Sequence, residues 1–341
     1  MRNPIIIIAE AGVNHNGDLQ NAFKLVDAAY EAGVDFVKFQ TFKSENLVSA
    51  NAKKADYQVE NTQNSSESQL QMLKKLELSE ADHDKLIKYC DAKGIKFFST
   101  AFDLQSLQYL FDLGFDIVKI PSGEITNLPY LKLAAKLFKK VILSTGMASM
   151  LEIKDAVNVF VNQGVLLNDI IILHCNTEYP TPMIDVNLKA MLSIQQELGT
   201  DIGYSDHTLG IEVPIAAVAL GAKLIEKHFT LDKTMDGPDH AASLEPDELK
   251  AMVSAIRNIE LALSGSGAKE ASNSEFKNIA IARKSIHLNK DVAKNDTLSE
   301  ADLIMLRPGD GISPMQIDVV VGRRTTRDLS KGHKLSLTDI Q

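Results

Sequence analysis

The sequence is poor in cysteine, in long apolar runs and in net positive charge, and each shortage excludes a class of protein. Only two cysteines occur in 341 residues, Cys90 and Cys175, and they form no C-x-x-C pair. This usage suits a reducing cytoplasm better than an oxidising compartment. No apolar stretch is long enough to cross a bilayer. The formal net charge of -9 argues against nucleic acid or an anionic membrane as a partner.

What is present describes a soluble globular protein with one large and one small domain. The chain is longer than an average single domain, and its 45% hydrophobic content is ample for a core. The first apolar run, residues 5–9, is short and is followed at once by Glu10. We therefore interpret this run as a first strand rather than a signal peptide, and we expect a cytoplasmic protein.

Short β-branched runs alternate with amphipathic segments from residue 5 to about residue 260. Eight strands, each followed by a helix, is the count of a (β/α)8 TIM barrel. The interval 41–71 is the exception, and we interpret it as a long polar loop after the second strand. The eight runs are residues 5–9, 34–39, 96–99, 117–120, 141–144, 170–174, 202–204 and 223–226.

The composition changes after the barrel. Residues 265–281 are rich in Gly, Ser, Asn and Lys, which predicts a linker between a barrel over 1–264 and a small module over 282–341. Within the module, the pattern of residues 290–303 recurs at residues 327–340, with the same order of charged, Leu-Ser and Asp positions. A repeat of this length predicts a small, pseudo-symmetric, β-rich fold.

Polar or ionisable side chains follow all eight runs, at the ends where barrel enzymes place their chemistry. Lysines and hydroxyl groups gathered on one rim predict a site for a phosphate or carboxylate anion. Glu10 and Glu124 are candidates for proton transfer or for binding sugar hydroxyls. The candidates for the anion site are Lys38, Thr100, Lys119, Ser122 and Ser144.

Two histidines, His207 and His228, each stand where an apolar run ends, with one helix-length segment between them. In a parallel barrel this spacing places both imidazoles on the same rim. Two neutral imidazoles can hold a divalent metal and leave most of its coordination sphere open to water and substrate. The alternative is that each histidine only bonds a backbone carbonyl at a strand end.

Nine motifs follow one another along most of the chain: AEAGVNHNG (9–17), VKFQT (37–41), KIPSGE (119–124), LSTGM (143–147), HCNTEYPTP (174–182), YSDHT (204–208), EKHFT (226–230), GPDH (237–240) and RPGDGISP (307–314). In this series the chain resembles the bacterial N-acetylneuraminate (sialic acid) synthase family. Legionaminate synthases share most of the same motifs and are the nearest alternative subgroup. The C-terminal module is similar to the antifreeze-like (SAF) domain of those enzymes.

The resemblance implies a transferase that condenses phosphoenolpyruvate with open-chain N-acetylmannosamine and water, giving N-acetylneuraminate and phosphate. The alternative that it implies is an N,N'-diacetyllegionaminate synthase that uses 2,4-diacetamido-2,4,6-trideoxymannose. His207 and His228 would hold a divalent metal, manganese or magnesium, with cobalt as a third option. Glu10 and Glu124 would join the two histidines as catalytic residues.

The resemblance also assigns residues to the two substrates and to a dimer. Family members form a domain-swapped homodimer in which the small module covers the partner's barrel, and here Arg307 would reach the N-acetyl group. The order Asn176-Thr177 is reversed in some relatives, so the choice of ligand-contacting residue between them stays open. The implied phosphoenolpyruvate-binding residues are Lys38, Thr100, Lys119, Ser122, Ser144 and Ser205. The implied sugar-binding residues are Gln40, Asn176, Tyr179, Asp239 and Arg307.

Two other functions fit parts of the pattern. A metal-dependent aldolase would use the rim lysines for a phosphosugar and would need no phosphoenolpyruvate. A non-catalytic carbohydrate- or ice-binding protein would use only the C-terminal module, but such a protein needs no rim of ionisable groups. Replacing His207 with Ala separates the enzyme from the binding protein, because only the enzyme would lose its activity.

Overall fold

The computed structural model describes residues 4–64 and 66–341 of the chain. The protein divides into two compact units, and the boundary falls between Ser264 and Gly265. Within the described residues, no helix is both long enough and apolar enough to cross a membrane.

The first unit is a barrel of eight parallel strands, which confirms the expected fold. The hydrogen-bonded order is β3-β2-β1-β8-β7-β6-β5-β4, and the terminal strands β3 and β4 also contact each other. The strands are β1 (Ile6–Gly12), β2 (Phe36–Thr41), β3 (Lys96–Ala101), β4 (Ile117–Ile120), β5 (Lys140–Ser144), β6 (Ile170–His174), β7 (Asp201–Asp206) and β8 (Leu224–His228).

Helices follow the strands, and several begin and end at residues that favour helix termini. The side chain of Asp18 accepts the backbone N–H of Gln20 at the start of the first helix, and Gly33 ends that helix with a φ of 78°. The helices of the first unit are α1 (Leu19–Ala32), α2 (Ser44–Leu47), α3 (Asp56–Thr62), α4 (Gln69–Leu76), α5 (Glu80–Lys93), α6 (Leu104–Asp112), α7 (Leu128–Leu137), α8 (Met150–Asn162), α9 (Lys189–Leu198), α10 (Glu212–Ala219) and α11 (Pro246–Ala262).

The two-residue alternation of the strands builds the barrel interior in layers. An apolar layer fills the lower half and contains Ile8, Phe98, Ile142, Leu173 and Leu224. Two residues further along, the strands present polar side chains to a cavity above this layer: Glu10, Thr100, Ser144, Cys175 and Glu226. The strand bodies therefore supply the core, and the strand ends supply the chemistry.

The interval expected to be a polar loop contains helices α2 and α3 and the start of α4. Met72 and Leu76 of α4 pack with Val13 and Phe42 in a small apolar cluster. A close approach fixes the end of this helix against the loop after β1. Gly17 has a φ of +72°, and a Cβ there would lie 2.2 Å from the carbonyl oxygen of Lys75. Tertiary packing thus orders helix α4, which begins at the end of this interval.

The second unit contains one element in the segment predicted as a linker, because helix α12 (Asn273–Ala282) covers the second half of 265–281. The small sheet of this unit pairs β9 (Ser285–Leu288) with β10 (Leu303–Leu306) antiparallel, and the last α-helix of the unit is α13 (Ile317–Val320).

The internal repeat is visible in the hydrogen bonds of the second unit. The carboxylate of Asp291 accepts the backbone N–H of Lys331 at 2.7 Å, and Asp328 accepts that of Lys294 at the same distance. Each half of the repeat therefore bonds the equivalent position of the other. The expectation of a pseudo-symmetric module is confirmed.

Candidate active site

A cavity of about 780 Å³ opens at the carboxyl ends of the barrel strands. Every strand from β1 to β8, or the turn that follows it, contributes to its lining. The structure brings together twelve of the residues predicted from the sequence: Glu10, Lys38, Gln40, Thr100, Lys119, Ser122, Ser144, Tyr179, Ser205, His207, His228 and Asp239.

Four charged side chains form a buried quartet at the floor of this cavity. Lys38 Nζ lies 2.8 Å from a carboxylate oxygen of Glu10 and 3.5 Å from one of Glu226. Lys119 Nζ lies 2.7 Å from the other oxygen of Glu226. The hydroxyl of Ser205 donates to the same carboxylate at 3.0 Å. Each of the four charged side chains is at most 4% exposed, so each depends on its partners for stabilisation.

The pKa values of the two carboxyl groups in the quartet shift in opposite directions. Burial raises the pKa of Glu10, and the neighbouring charge of Glu226 raises it further, against the opposing effect of Lys38. Burial would also raise the pKa of Glu226, but Lys119 and Lys38 outweigh burial and hold that pKa below its usual range. Glu226 is therefore a fixed anion between two ammonium groups, whereas Glu10 is the carboxyl that can carry a proton.

The two predicted metal ligands are neighbours in the cavity, with ring centroids 5.3 Å apart. His207 Nδ1 donates to the carbonyl oxygen of Asn176, which leaves Nε2 with a free lone pair. His228 Nδ1 is buried without a hydrogen-bond partner among the described residues. Burial lowers the pKa of His207 to about 4 and lowers that of His228 well below its usual range. Both imidazoles are therefore neutral.

This arrangement fits a divalent metal held by two protein ligands. A neutral imidazole with a free lone pair is a metal donor, and a buried ring nitrogen without a partner lacks the bond that a metal would supply. Asp239 Oδ2 lies 3.9 Å from His228 Nδ1, and burial raises the pKa of Asp239 to about 7. Within residues 4–64 and 66–341 there is no cluster of three or more His, Cys, Asp or Glu with metal-binding geometry.

A column of three rings connects the helical interval after β2 to the metal ligands. Tyr179 stacks on His207 with centroids 4.1 Å apart, and Tyr57 of α3 stacks on Tyr179 at 5.0 Å. The side-chain amide of Asn61, also on α3, donates to the carbonyl oxygen of Pro238 at 2.6 Å. Helix α3 is therefore part of the cavity wall.

The turns after β4 and β5 form a hydroxyl-rich corner of the cavity. The hydroxyl of Ser122 accepts the backbone N–H of Gly146 at 2.9 Å, and it lies 3.3 Å from the sulfur of Cys175. A Cβ on Gly146 would lie 2.5 Å from a Thr177 methyl and 2.9 Å from the Ser122 hydroxyl, so only glycine fits between them. With Ser144, this corner presents the donors that an anionic group requires.

Two predicted site residues of the first unit do not line the cavity, and a third belongs to the second unit. Glu124 ends a short 3-10 turn that points Ser122 inward, and its own carboxylate accepts the side-chain amide of Asn127 at 2.6 Å. The side chain of Asn176 bonds the backbone N–H of Glu178, whereas Thr177 lines the cavity, so the open choice between Asn176 and Thr177 favours Thr177. Arg307 lies in the second unit, where its Nε donates to the carbonyl oxygen of Ala282 at 3.0 Å.

Two important residues were missing from the predicted site. Glu226 lies two positions before His228 on β8, and strand alternation places both side chains on the same face. That spacing was a signal in the sequence. Tyr57 had no such signal, because it belongs to an interval interpreted as loop.

Comparisons with known proteins agree with this geometry. The NeuB family matches residues 25–269, and the SAF domain matches residues 283–341. The N,N'-diacetyllegionaminic acid synthase of Campylobacter jejuni is 55% identical, over 95% of this chain and 96% of that protein. The enzyme of the same name from Legionella pneumophila is 51% identical, over 96% and 92%. The crystal structure of N-acetylneuraminic acid (sialic acid) synthetase from Leptospira borgpetersenii, in complex with citrate, gives a TM-score of 0.71 at 38% identity, over 81% and 90%.

These matches decide the classification. The family match spans more than half of the chain, and the two relatives align with nearly all of it. The relatives are sugar-acid synthases, which confirms the expected enzyme class, a transferase-type synthase. The match over residues 283–341 confirms the expected SAF domain. The resemblance drawn from the nine motifs is also confirmed, and the chain belongs to the NeuB family.

Proposed function

We propose that this enzyme condenses phosphoenolpyruvate with open-chain 2,4-diacetamido-2,4,6-trideoxymannose and water, giving N,N'-diacetyllegionaminate and phosphate. The observation that carries the proposal is the buried quartet of two lysines and two glutamates in the same cavity as two neutral imidazoles. The lysines suit a compact anion, and the imidazoles suit a metal beside an aldehyde. N-acetylmannosamine is the competing sugar, and it would give N-acetylneuraminate.

The anion would bind between the two lysines and the hydroxyl groups. Lys38 Nζ donates to the hydroxyl of Thr100 on β3 at 2.9 Å, and Lys119 lies on β4, the strand that contacts β3. Ser122, Ser144 and Ser205 complete a ring of hydroxyl donors for the carboxylate and phosphate of phosphoenolpyruvate. Its oxygens would take over ammonium contacts that the glutamates make in this structure.

The sugar would bind with its aldehyde end at the imidazoles. His207 and His228 would hold manganese, magnesium or cobalt, and the bound metal would polarise the aldehyde oxygen as a Lewis acid. Tyr179 packs against both imidazole rings and would limit where the sugar chain can pass. Gln40 and Asp239 line the same space and offer partners for the amide and hydroxyl groups of the sugar.

The proton balance of the reaction fits a single carboxyl group. C3 of phosphoenolpyruvate forms a bond to the aldehyde carbon, and the aldehyde oxygen then needs a proton. Water adds to C2 and releases a proton. The new C2 hydroxyl then passes its proton to the phosphate oxygen as the bond from C2 to that oxygen breaks, so the C2 carbonyl forms and phosphate leaves. One group that first donates and then accepts can serve both steps. The raised pKa of Glu10 suits this role.

The choice of sugar follows the relatives. The two sequences that are 55% and 51% identical to this chain over nearly its whole length are named for N,N'-diacetyllegionaminic acid. The structure named for N-acetylneuraminic acid is 38% identical. These identities favour the diacetamido sugar over N-acetylmannosamine.

The test is release of inorganic phosphate from phosphoenolpyruvate with each sugar, with and without added manganese. We expect turnover that requires both sugar and metal, with the larger kcat/KM for the diacetamido sugar. Lys119→Met should lower kcat/KM by at least about 100-fold, because an anion ligand is lost at a buried centre. Lys132→Met, on the exposed face of α7, is the matched control and should leave kcat/KM unchanged. The proposal is overturned if neither sugar supports phosphate release.

A further inference from the structure

We propose that an apolar wall, made by Val48, Met72, Leu73 and Leu76, selects the deoxygenated end of the sugar. This wall would favour a substrate with a methyl group at C6 over one with a hydroxymethyl group. The inference rests on the proposed function, because it concerns the second substrate of the same cavity. It assigns specificity to residues of the interval between β2 and α5 that the nine motifs do not include.

The wall is one face of a helix. Gln69, Met72, Leu73 and Leu76 of α4 all line the cavity, and their spacing of three and four residues places them on a single helical face. Val48 follows α2 and lines the same space. The apolar part of this face thus looks into a cavity whose floor is charged.

Packing around helix α4 holds the wall in place. Met72 and Leu76 are 4% and 6% exposed and pack with Val13 in the apolar cluster under the helix. The carbonyl oxygen of Lys75 approaches Gly17 so closely that no side chain fits there. A wall fixed on both sides can discriminate by shape and polarity, because it cannot move away from a poorly fitting substrate.

The position of the reacting groups orients the sugar. The aldehyde carbon must approach the imidazoles and the quartet at the floor, so the C4 to C6 end extends into the remaining cavity. The two candidate sugars differ there: one has an acetamido group at C4 and a methyl at C6, and the other has hydroxyl groups at both carbons. Methyl groups suit apolar side chains. A hydroxyl placed against them loses its hydrogen bonds to water and gains none.

Amide groups border the same wall and suit an acetamido substituent. Gln69 is the polar member of the α4 face, and its Nε2 lies 3.4 Å from Oε1 of Gln58 on α3. Both glutamines line the cavity. An acetamido group offers one N–H donor and one carbonyl acceptor, which this pair of amides can satisfy.

The expected discrimination is moderate. An apolar pocket rejects an added hydroxyl by only about 10- to 100-fold, because a hydroxyl adds little volume. We therefore expect the ratio of kcat/KM for the diacetamido sugar to that for N-acetylmannosamine to lie in this range. A wall variant should reduce that ratio toward one.

The test compares two substitutions of the same type on the same helix. Leu73→Gln introduces a polar side chain on the wall, and it should lower the ratio of the two kcat/KM values about tenfold. Leu70→Gln is the matched control, because Leu70 is also half-buried on α4 but does not line the cavity. It should leave the ratio unchanged. Val48→Thr keeps the shape of the side chain and provides a second wall variant if Leu73→Gln fails to fold.

The outcomes separate this inference from the proposed function. If the unaltered enzyme uses neither sugar, the proposed function fails and the inference fails with it. If the enzyme prefers the diacetamido sugar but the folded wall variants keep the same ratio as Leu70→Gln, the proposed function stands and the inference is overturned. A loss of activity that is equal for both sugars would also overturn it, since a selective wall must affect the two sugars differently.

Discussion

At the residue scale, two consecutive residues of β8, Glu226 and Lys227, carry buried charges that form separate ion pairs. Glu226 faces the cavity, where it holds Lys38 and Lys119. Lys227, the next residue, points outward and lies 2.6 Å from Asp206 Oδ2, with both side chains fully buried. Under the proposed function, the lysines held by Glu226 would bind the substrate anion. The Lys227–Asp206 pair joins β7 to β8 beside His207 and His228.

The Lys227–Asp206 pair gives a prediction about stability. Lys227→Met should lower the free energy of unfolding by about 3–5 kcal/mol, because it leaves the carboxylate of Asp206 buried without its partner. Urea denaturation followed by circular dichroism measures this difference. Lys140→Met is the control, since Lys140 forms a pair of similar length, 2.7 Å, with Asp116 on the exposed surface. Lys140→Met should change the free energy of unfolding by no more than experimental error. An equal decrease in both variants would contradict the prediction.

The paired imidazoles give a prediction about metal binding. His207→Ala should weaken manganese binding, measured by titration calorimetry on metal-free protein, by more than the 10- to 100-fold that a supporting residue typically contributes. Turnover should be lost in parallel. His83→Gln, in a buried position of the same unit outside the cavity, should keep the affinity. Unchanged manganese affinity in His207→Ala would remove this histidine from the metal site.

At the scale of elements, the strands were well predicted and the short helices were not. The eight strands were readable because burial on both faces requires apolar, β-branched runs. The observed bounds differ from the predicted ones by at most three residues, and those of β4 and β6 are identical. Helices α2 and α3 are short and largely polar, and α4 is short and is ordered by packing against Val13 and Phe42. Helix α12 begins with the polar residues Asn273 and Ser274, which resemble a linker.

Equivalent carboxylates of the internal repeat give a prediction about pH. Ion pairing with Lys290 and hydrogen bonds from Ser299 lower the pKa of Asp302 to about 2, and His333, Arg327 and Ser336 outweigh burial to lower that of Asp339. A carboxyl with a depressed pKa in the folded state stabilises that state above its unfolded pKa, near 4. Stability of the second unit should therefore be lost as the pH falls from about 4 to about 2.

Hydrogen exchange of peptides from the second unit of the full chain, corrected for intrinsic rates, measures this loss. Asp302→Asn should lower the protection of these peptides against exchange at pH 6, and that protection should then change less as the pH falls. The reason is that the charged partner of Lys290 is absent at every pH. Asp318→Asn changes an exposed carboxyl on α13 and is the control. An acid profile that is identical in Asp302→Asn and the unaltered protein would contradict the assignment.

At the scale of the whole molecule, the predicted site residues are divided between the two units. The cavity of the first unit holds twelve predicted residues, whereas Arg307 belongs to the second unit. The domain-swapped homodimer implied by the resemblance stays a prediction, as does the role of Arg307 at the N-acetyl group of the sugar. Both make the site depend on a second copy of the chain.

Mixing two inactive variants tests this dependence. Arg307→Ala and His207→Ala should each lack activity. After exchange of subunits, one of the two sites of each heterodimer keeps both residues, so a heterodimer should have up to about half of the activity of the unaltered dimer. Subunit exchange is verified by native mass spectrometry. A mixture of His207→Ala and His228→Ala is the control, because each variant lacks a residue of its own barrel and no heterodimer contains a complete site. Verified heterodimers without recovered activity would show that Arg307 does not act across a dimer.

The sequence by itself predicted the barrel, the family and twelve of the residues that line the cavity. Eight apolar runs that alternate with helices predict a parallel barrel, and the carboxyl ends of its strands share one rim, where Glu10, Lys38 and Lys119 were expected. Only the tertiary structure decided that Glu226 centres the quartet, that Glu124 turns away and that α4 faces the cavity. These outcomes depend on contacts between side chains far apart in the chain, and no local pattern of residues specifies such contacts.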